Sequence, residues 1–299
     1  MRVAVAGGTG FIGRHLTKAL SARGDEVIIL SRSAGAKGGD ASGWLTWNQL
    51  EADPHLLEGI DGVVNLAGET INQRWTEPAK RSILDSRIEA AGRLAAAIEK
   101  LERKPAVVVN GSSMAAYGTS ETETYDESSP AKAVDFLSDV VREWEAAADG
   151  IRVQRLVKLR VGLVLGADGG ALPKMLLPYK LMAGGRLGSG NQWVSWIHID
   201  DLIGLILLAL DGAVSSGPLN GTAPHPVTND EFGRTAARVL RRPHYLPLPS
   251  AAFRLLLGDM ADLLLKGQRV LPSRALAAGY RFRFPELKPA LRSLLRPDT

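Results

Sequence analysis

Short runs of apolar, mostly β-branched residues recur along the first half of the chain, and stretches with helical periodicity separate most of them. The runs stay apolar throughout, as strands do when helices cover both faces of a parallel sheet. Alternation of strand and helix with short connections favours right-handed crossovers and a doubly wound sheet. The predicted strands are Val3–Ala6, Val27–Leu30, Val63–Ala67, Ala106–Asn110 and Val153–Leu165.

Helical periodicity and capping residues predict the connections. One helix covers Ile12–Ala22 and ends before Gly24, which suits a C-terminal cap. A long helix begins after Thr76 and ends at about Leu101, and Asp200–Leu210 forms a further helix. We therefore predict an α/β protein with a Rossmann-like, doubly wound parallel sheet.

The pattern changes at about residue 223, where prolines separate shorter helices. We predict a Rossmann domain over residues 1–222 and a small, mostly helical C-terminal lobe over residues 223–299. Because no flexible linker separates them, the lobe should pack directly on the sheet. Within the lobe, Tyr280, Phe282 and Phe284 alternate with arginine, which predicts one short, half-buried strand.

Composition and charge exclude several function classes. The 299 residues include no cysteine, so disulfides, thiolate ligands and a cysteine nucleophile are excluded, and we predict no metal site. The net charge is +4, but the basic residues are scattered, so we predict no nucleic-acid partner. The N-terminus lacks the features of a signal peptide, and the longest apolar run, Leu202–Leu210, is too short to span a bilayer. We expect a cytoplasmic protein without membrane contact.

The segment GGTGFIG follows the first predicted strand directly and leads into the first helix. Gly8, Gly10 and Gly13 have the GxGxxG spacing, and Gly7 adds the GxxGxxG spacing. Glycines at these positions let the backbone turn tightly and approach a pyrophosphate at the helix N-terminus. The strand-to-helix context therefore predicts a dinucleotide site.

The end of the second strand indicates which dinucleotide is bound. NAD-binding proteins usually place Asp or Glu there to accept the ribose 2′-hydroxyl, whereas this chain has Ser31 and Arg32. An arginine suits a 2′-phosphate, so we predict NADP(H) as cofactor, favoured over NAD(H) by about 10- to 100-fold. Arg87 interrupts an apolar helix stripe, so its acceptor is either a cofactor oxygen or a protein carboxylate.

Five motifs, in this order, resemble the extended short-chain dehydrogenase/reductase superfamily. They are AGGTGFIG, NLAG (65–68), SSMAAYG (112–118), RVGLVLG (160–166) and WIHIDD (196–201). The chain is also similar, nearly end to end, to a narrower group called epimerase family proteins. The segments that carry this similarity are NLAGE with the following RW and SR, GGRLGSGNQWVSWIHIDD and GQRVLPSRALAAGYRFRFPEL. That group carries a C-terminal domain of unknown function, and its name defines no substrate.

The resemblance implies an NADP-binding Rossmann fold, and it implies roles for individual residues. It implies that Arg87 and Arg160 lie beside the cofactor. It also implies a homodimer, formed through helices of the central sheet. The residues implied for the pyrophosphate, the 2′-phosphate and the lining of the cofactor are, in that order, Gly7, Gly10, Phe11 and Ile12; Ser31 and Arg32; and Leu66, Ala67 and Gly68.

The superfamily transfers protons with a tyrosine and a lysine four residues apart on one helix, together with a serine on the preceding strand. The matching segment here, AVDFLSDVVREWEAAA, lacks the YxxxK pair. Ser138 and Arg142 keep the spacing, but a serine is a far poorer acid than an activated tyrosine. Either Ser112 or Ser113 could supply the serine.

Three other residues could replace the missing pair. Glu69 follows NLAG near the expected nicotinamide end, and we rank it first as an acid/base group. Tyr117 lies in the strand-end YG, where it could approach a substrate. His198 precedes two aspartates, and capping and packing explain it better than catalysis. The predicted catalytic residues are Glu69, Tyr117 and Ser113.

Two functions are open at this point. The first is an NADP(H)-binding oxidoreductase or epimerase-like enzyme with an altered proton-transfer group, which acts on an unidentified small polar substrate bound on the side of the C-terminal lobe. The second is a non-catalytic NADP(H)-binding sensor or regulatory protein. The two share a cofactor site and differ at the nicotinamide.

Overall fold

The computed structural model describes residues 1–33, 40–247 and 249–295. The strands in this part of the chain are β1 (Arg2–Ala6), β2 (Glu26–Ser31), β3 (Gly43–Thr46), β4 (Gly62–Asn65), β5 (Val107–Ser113), β6 (Thr124–Tyr125), β7 (Arg155–Val161), β8 (Leu163–Leu165), β9 (Trp193–Val194), β10 (Trp196–His198), β11 (Gly217–Gly221), β12 (Val227–Thr228) and β13 (Arg269–Val270). The α-helices are α1 (Phe11–Ala22), α2 (Trp47–Ala52), α3 (Glu77–Glu99), α4 (Phe136–Ala148), α5 (Leu172–Lys180), α6 (Ile199–Leu210), α7 (Asn229–Leu240), α8 (Ser250–Leu257), α9 (Asp262–Leu265), α10 (Ser273–Ala277) and α11 (Leu287–Leu295).

Seven parallel strands form the central sheet, in the order β11-β7-β5-β4-β1-β2-β3. The predicted α/β, Rossmann-like fold is confirmed. The strand order reverses between β1 and β4, so the carboxyl ends of these two strands border a crevice. Open α/β sheets bind ligands in the crevice at this kind of switch point.

Helices bury both faces of the sheet, which explains the uninterrupted apolar runs. In β1, Val3 and Val5 belong to the core that includes α1 and α6, whereas Ala4 and Ala6 belong to the core under α2 and α3. Successive side chains of a strand point to opposite faces, so Val3 to Ala6 are all buried when both faces are covered. This arrangement leaves the carboxyl edge of the sheet as the open side of the crevice.

The C-terminal lobe packs α7 and α11 around an apolar core that includes Phe232 and Leu291, and α5 and Trp196 from the first 222 residues contribute to the same core. The lobe contacts the Rossmann domain directly. Strand β13 pairs with β6, and Nζ of Lys80 in α3 lies 2.9 Å from Oδ2 of Asp259. Within the described ranges, no helix has the length and apolar character needed to cross a membrane. The boundary between residues 222 and 223 stays a prediction.

Two predicted strands differ from the structure. The predicted strand Val153–Leu165 is interrupted at Gly162, where a Cβ would lie 2.5 Å from the Ser195 carbonyl oxygen, and β8 pairs with β10 outside the central sheet. The strand predicted around Tyr280 is wrong. The Asp201 carboxylate accepts the amides of Arg283 (2.7 Å) and Phe284 (2.9 Å), so these amides bond to a side chain instead of a neighbouring strand.

Candidate cofactor and active site

Two glycines, one in the loop between β1 and α1 and one in the first turn of α1, have no room for a side chain. Gly7 has a φ of 77°, and a Cβ there would lie 2.7 Å from the carbonyl carbon of Leu66. At Gly13 a Cβ would lie 2.2 Å from the Gly7 oxygen. The loop therefore packs directly on the end of β4, and α1 packs directly on the loop, as in dinucleotide-binding loops.

The N-terminus of α1 is open to an anion. Gly10 is its N-cap, and no side chain in the described part of the chain caps the helix or places a carboxylate in its first turn. The Gly10 amide bonds to the Gly7 oxygen at 3.0 Å, whereas those of Phe11 and Ile12 have no acceptor among the described residues. Free amides and the helix dipole favour a phosphate at this end.

The ring of Phe11 has a separate role from its amide. It packs against the glycines that follow β8, and a Cβ at Gly166 would lie 2.4 Å from the ring. Gly169 has no room for a side chain either, because a Cβ there would also lie 2.4 Å from the Phe11 ring. Phe11 therefore anchors this glycine-rich loop beside the helix N-terminus.

Arg32 extends into solvent directly after β2. Its side chain is 89% exposed, and its Nη1 lies 3.7 Å from Oε2 of Glu69. Ser31 ends β2, and its hydroxyl donates to the Ser33 oxygen at 2.6 Å. An exposed guanidinium at this strand end is compatible with the predicted contact to a 2′-phosphate.

Buried amides hold the end of β4 in position. The Nδ2 of Asn65 donates to Oδ1 of Asn110 in β5 at 2.7 Å, and Oδ1 of Asn65 accepts the amide of Ala67 at 3.2 Å. The amide of Leu66 donates to the carbonyl of Ala6 at 2.9 Å. These bonds hold Leu66 and Ala67 beside the glycine loop, where we predict that they line the cofactor together with Gly68.

Arg87 packs on Gly68 and donates to backbone carbonyls. Its Nη1 donates to the oxygens of Glu69 (3.0 Å) and Ile83 (2.8 Å), and its guanidinium carbon lies 5.1 Å from the centre of the Trp144 ring. Burial lowers the pKa of Arg87 to about 10, although the Glu69 carboxylate opposes this shift. A largely buried arginine beside the end of β4 fits the predicted role at the cofactor.

Glu69 lies away from the position expected for a catalytic group. Its carboxylate is next to Arg32, on the side of the crevice where the adenosine ribose is expected. Ser86 accepts its amide at 2.9 Å, and Arg87 holds its carbonyl. The contact with Arg32 therefore favours the adenosine end of the crevice for Glu69 over the nicotinamide end that the sequence suggested.

Tyr117 is enclosed in the core. Its side chain is fully buried, its ring stacks on Tyr125 with centres 5.5 Å apart, and its hydroxyl donates to Oδ1 of Asn220 at 2.8 Å. Burial raises the pKa of the Tyr117 phenol, although Arg160 opposes the shift. In this position Tyr117 cannot approach a substrate, and we correct its interpretation as a catalytic group.

Arg160 is held in a buried ion pair that the sequence interpretation missed. Its Nε and Nη2 donate to the two carboxylate oxygens of Glu145 at 2.8 and 2.9 Å, and the Ser112 hydroxyl donates to the same carboxylate at 2.6 Å. Burial opposes ionisation of Glu145, but the bonds from Arg160 outweigh it and keep the pKa of Glu145 below its usual value. We correct the expected contact of Arg160 with the cofactor, because its Nε and Nη2 already donate to the Glu145 carboxylate.

The residues at the missing tyrosine–lysine positions have local structural roles. Ser138 is buried and completes a capping box with Asp135 at the start of α4. Arg142 is exposed and pairs with Asp139 at 3.2 Å. A cavity of about 140 Å³ lies beside this part of α4, and Ser138, Arg142 and Glu145 contribute to its lining.

Ser113 and His198 complete the set of candidate groups. Ser113 is partly buried at the end of β5, and its Oγ accepts the amide of Ala115 at 3.2 Å, which leaves its hydroxyl hydrogen free to be donated. His198 caps α6, since its Nδ1 accepts the Asp200 amide at 3.0 Å, and its ring stacks 4.0 Å from that of Phe284. Capping and packing by His198 are confirmed.

Comparisons with known proteins agree over nearly the whole chain. The family model described as "NAD dependent epimerase/dehydratase family" matches residues 3–220, and "Domain of unknown function (DUF1731)" matches residues 248–294. "Epimerase family protein YfhF" of Bacillus subtilis (strain 168) is 43% identical over 298 residues, which cover 99% of this chain and 98% of that protein. "Epimerase family protein SDR39U1" of Homo sapiens is 44% identical over 301 residues, which cover 99% of this chain and all of that protein.

Solved structures show the same similarity. The crystal structure of human epimerase family protein SDR39U1 (isoform2) with NADPH has a TM-score of 0.90 and 45% identity, and the match covers 98% of this chain and 99% of that one. A nucleoside-diphosphate sugar epimerase from Corynebacterium glutamicum has a TM-score of 0.77 and 30% identity, and the match covers 99% of this chain and 58% of that one.

Proposed function

Because the chain belongs to the NAD-dependent epimerase/dehydratase family, we propose that it is an NADP(H)-binding oxidoreductase or epimerase-like enzyme for a small polar substrate. The observation that carries the proposal is the glycine loop at the switch point of the sheet, with the open N-terminus of α1 beside it. A side chain at Gly7 or Gly13 would clash with the backbone of Leu66 or of Gly7, so only glycine allows this tight loop, and the open helix end favours a pyrophosphate. The human relative crystallised with NADPH supports the choice of cofactor.

Each part of the proposed cofactor has a place in this site. The amides of Phe11 and Ile12 would hold the pyrophosphate, and Arg32 with Ser31 would hold the 2′-phosphate. Leu66, Ala67 and Gly68 would line the cofactor along the end of β4, where Arg87 adds a positive charge. Bound NADP(H) supplies hydride transfer, and the chain positions and polarises the substrate.

Ser113 is the predicted catalytic residue whose position still suits chemistry. It lies at the carboxyl end of β5, and its free hydroxyl hydrogen could bond to a substrate carbonyl oxygen. A neutral serine donor polarises a carbonyl, but it is a poor proton source near neutral pH. We therefore propose that Ser113 orients and polarises the substrate and that the proton comes from another source.

Replacing Arg32 with glutamine tests the proposed cofactor site. We expect the dissociation constant for NADPH to rise about 10- to 100-fold and that for NADH to stay near the wild-type value, because the 2′-phosphate loses a charged hydrogen bond. Titration followed by cofactor fluorescence measures both constants. Arg281→Gln, an exposed change in the C-terminal lobe, is the matched control. Equal affinity of the wild type for NADPH and NADH would refute the assignment.

A non-catalytic sensor is the second candidate, and the environments of three side chains favour it. Tyr117 is buried, Ser138 completes a helix cap, and Glu69 faces Arg32, so none of them has the position of an activated acid. NADPH consumption with a panel of small carbonyl substrates separates the two functions. Steady turnover supports the enzyme, whereas tight NADPH binding without turnover of any substrate supports the sensor.

A further inference from the structure

The carboxylate beside Arg32 comes from an unusual place in the fold. Dinucleotide-binding sites that accept the ribose 2′-hydroxyl place an acidic residue at the end of the second strand. Here the second strand provides Arg32, and the loop after β4 provides Glu69, with 3.7 Å between Nη1 and Oε2. An acceptor and a donor therefore face the same part of the crevice from two different strands.

Contacts with α3 fix the backbone of Glu69. Its amide donates to the Ser86 hydroxyl at 2.9 Å, and its carbonyl accepts Nη1 of Arg87 at 3.0 Å. Two consecutive residues of a long helix thus hold both backbone polar groups of Glu69. The side chain is delivered to the crevice by this rigid support rather than by a free loop.

The contacts of this carboxylate within the protein contribute little to the stability of the fold: besides the ion pair with Arg32, its Oε1 accepts the amide of the neighbouring Thr70 at 3.2 Å. Arg32 is 89% exposed and Glu69 is 32% exposed, and ion pairs between exposed side chains contribute little to stability. Glu69 also lowers the net positive charge that Arg32 and Arg87 present to a phosphate. Its effect on a bound dinucleotide is therefore selective: a carboxylate accepts a hydrogen bond from a ribose hydroxyl and repels a 2′-phosphate.

We propose that Glu69 is a specificity-determining residue that accepts a hydrogen bond from the adenosine ribose hydroxyls, while Arg32 binds the 2′-phosphate of NADPH. The inference rests on the proposed cofactor site and goes beyond it. With both residues present, the site prefers NADPH but retains measurable affinity for NADH. Glu69 thus limits the preference for NADPH over NADH that Arg32 creates.

The variant Glu69→Gln tests this role, because it removes the charge and keeps the shape. We expect the dissociation constant for NADH to rise about 10-fold and that for NADPH to stay the same or fall. The ratio of the two constants therefore shifts by about 10-fold or more towards NADPH. Glu102→Gln, at an exposed turn, is the matched control and should leave the ratio unchanged.

The same titrations separate failure of this inference from failure of the proposed function. A wild-type protein that binds neither dinucleotide overturns both. If the wild type binds NADPH but Glu69→Gln leaves the ratio unchanged, only the role of Glu69 is overturned. A loss of NADPH affinity with unchanged NADH affinity also overturns it, because Glu69 would then orient Arg32 for the phosphate. Glu69→Ala must shift the ratio in the same direction.

Discussion

Replacing Gly10 with valine is expected to weaken NADPH binding by at least about 100-fold while the protein stays folded. Gly10 has an extended backbone with φ −73° and ψ 176°, which valine adopts without strain. A Cβ there would meet only the Gly7 oxygen, at 3.3 Å. The branched side chain would instead cover the amides of Phe11 and Ile12, where the pyrophosphate must approach the backbone. Titration with NADPH and thermal unfolding measure the two effects.

Two other glycines provide matched controls for this variant. Gly92→Val lies on the exposed side of α3, where a Cβ meets nothing within 4 Å, so NADPH binding should be unchanged. Gly13→Val should disrupt folding itself, because its Cβ would lie 2.2 Å from the Gly7 oxygen. Normal NADPH affinity in a folded Gly10→Val variant would place the pyrophosphate elsewhere.

Replacing Arg160 with methionine is expected to lower the free energy of unfolding by about 3–5 kcal/mol, because it leaves the buried Glu145 carboxylate with only the Ser112 hydroxyl and the more distant Lys158, whose Nζ is 4.0 Å away. Nε and Nη2 of Arg160 bond to both oxygens of this carboxylate, and only about a tenth of either side chain is exposed. Urea denaturation measures the loss. The stabilisation that comes from the lowered pKa of Glu145 is complete above the usual carboxyl pKa and declines as the pH falls through the lowered one.

The double variant Arg160→Met with Glu145→Met distinguishes a structural ion pair from a cofactor contact. An apolar pair of similar volume should recover much of the lost stability, since it leaves no unpaired charge in the interior. The affinity for NADPH should be the same in the wild type, the single variant and the double variant. If Arg160→Met weakened NADPH binding and left the free energy of unfolding unchanged, the original assignment of Arg160 to the cofactor would be restored.

The central sheet could be predicted because its signals are local. Strand β1 was predicted as Val3–Ala6 and observed as Arg2–Ala6, since burial on both faces makes the whole run apolar. The start of α3 after Thr76 could be predicted for the same reason, because the Thr76 hydroxyl caps the helix by accepting the amide of Ala79, only three residues away. The short strand β3 was missed, because its four residues are only partly buried and carry no such run.

The interpretation of the site failed where contacts join distant parts of the chain. Tyr117 is held by Asn220, which lies 103 residues away, so the spacing around the YG motif contained no sign of its burial. Glu145 and Arg160 come from α4 and β7, and only the three-dimensional structure, in which two hydrogen bonds join them, shows that they pair. Glu69 followed a recognisable motif, but its direction depends on Ser86 and Arg87 in α3.

A crystal structure of the protein with NADP⁺ tests the central claim most directly. We predict that the pyrophosphate binds the amides of Phe11 and Ile12, that the 2′-phosphate contacts Arg32, and that the Ser113 hydroxyl faces the nicotinamide. Tyr117 should stay buried against Asn220. A cofactor bound away from the glycine loop, or a 2′-phosphate that makes no contact with Arg32, would contradict the account.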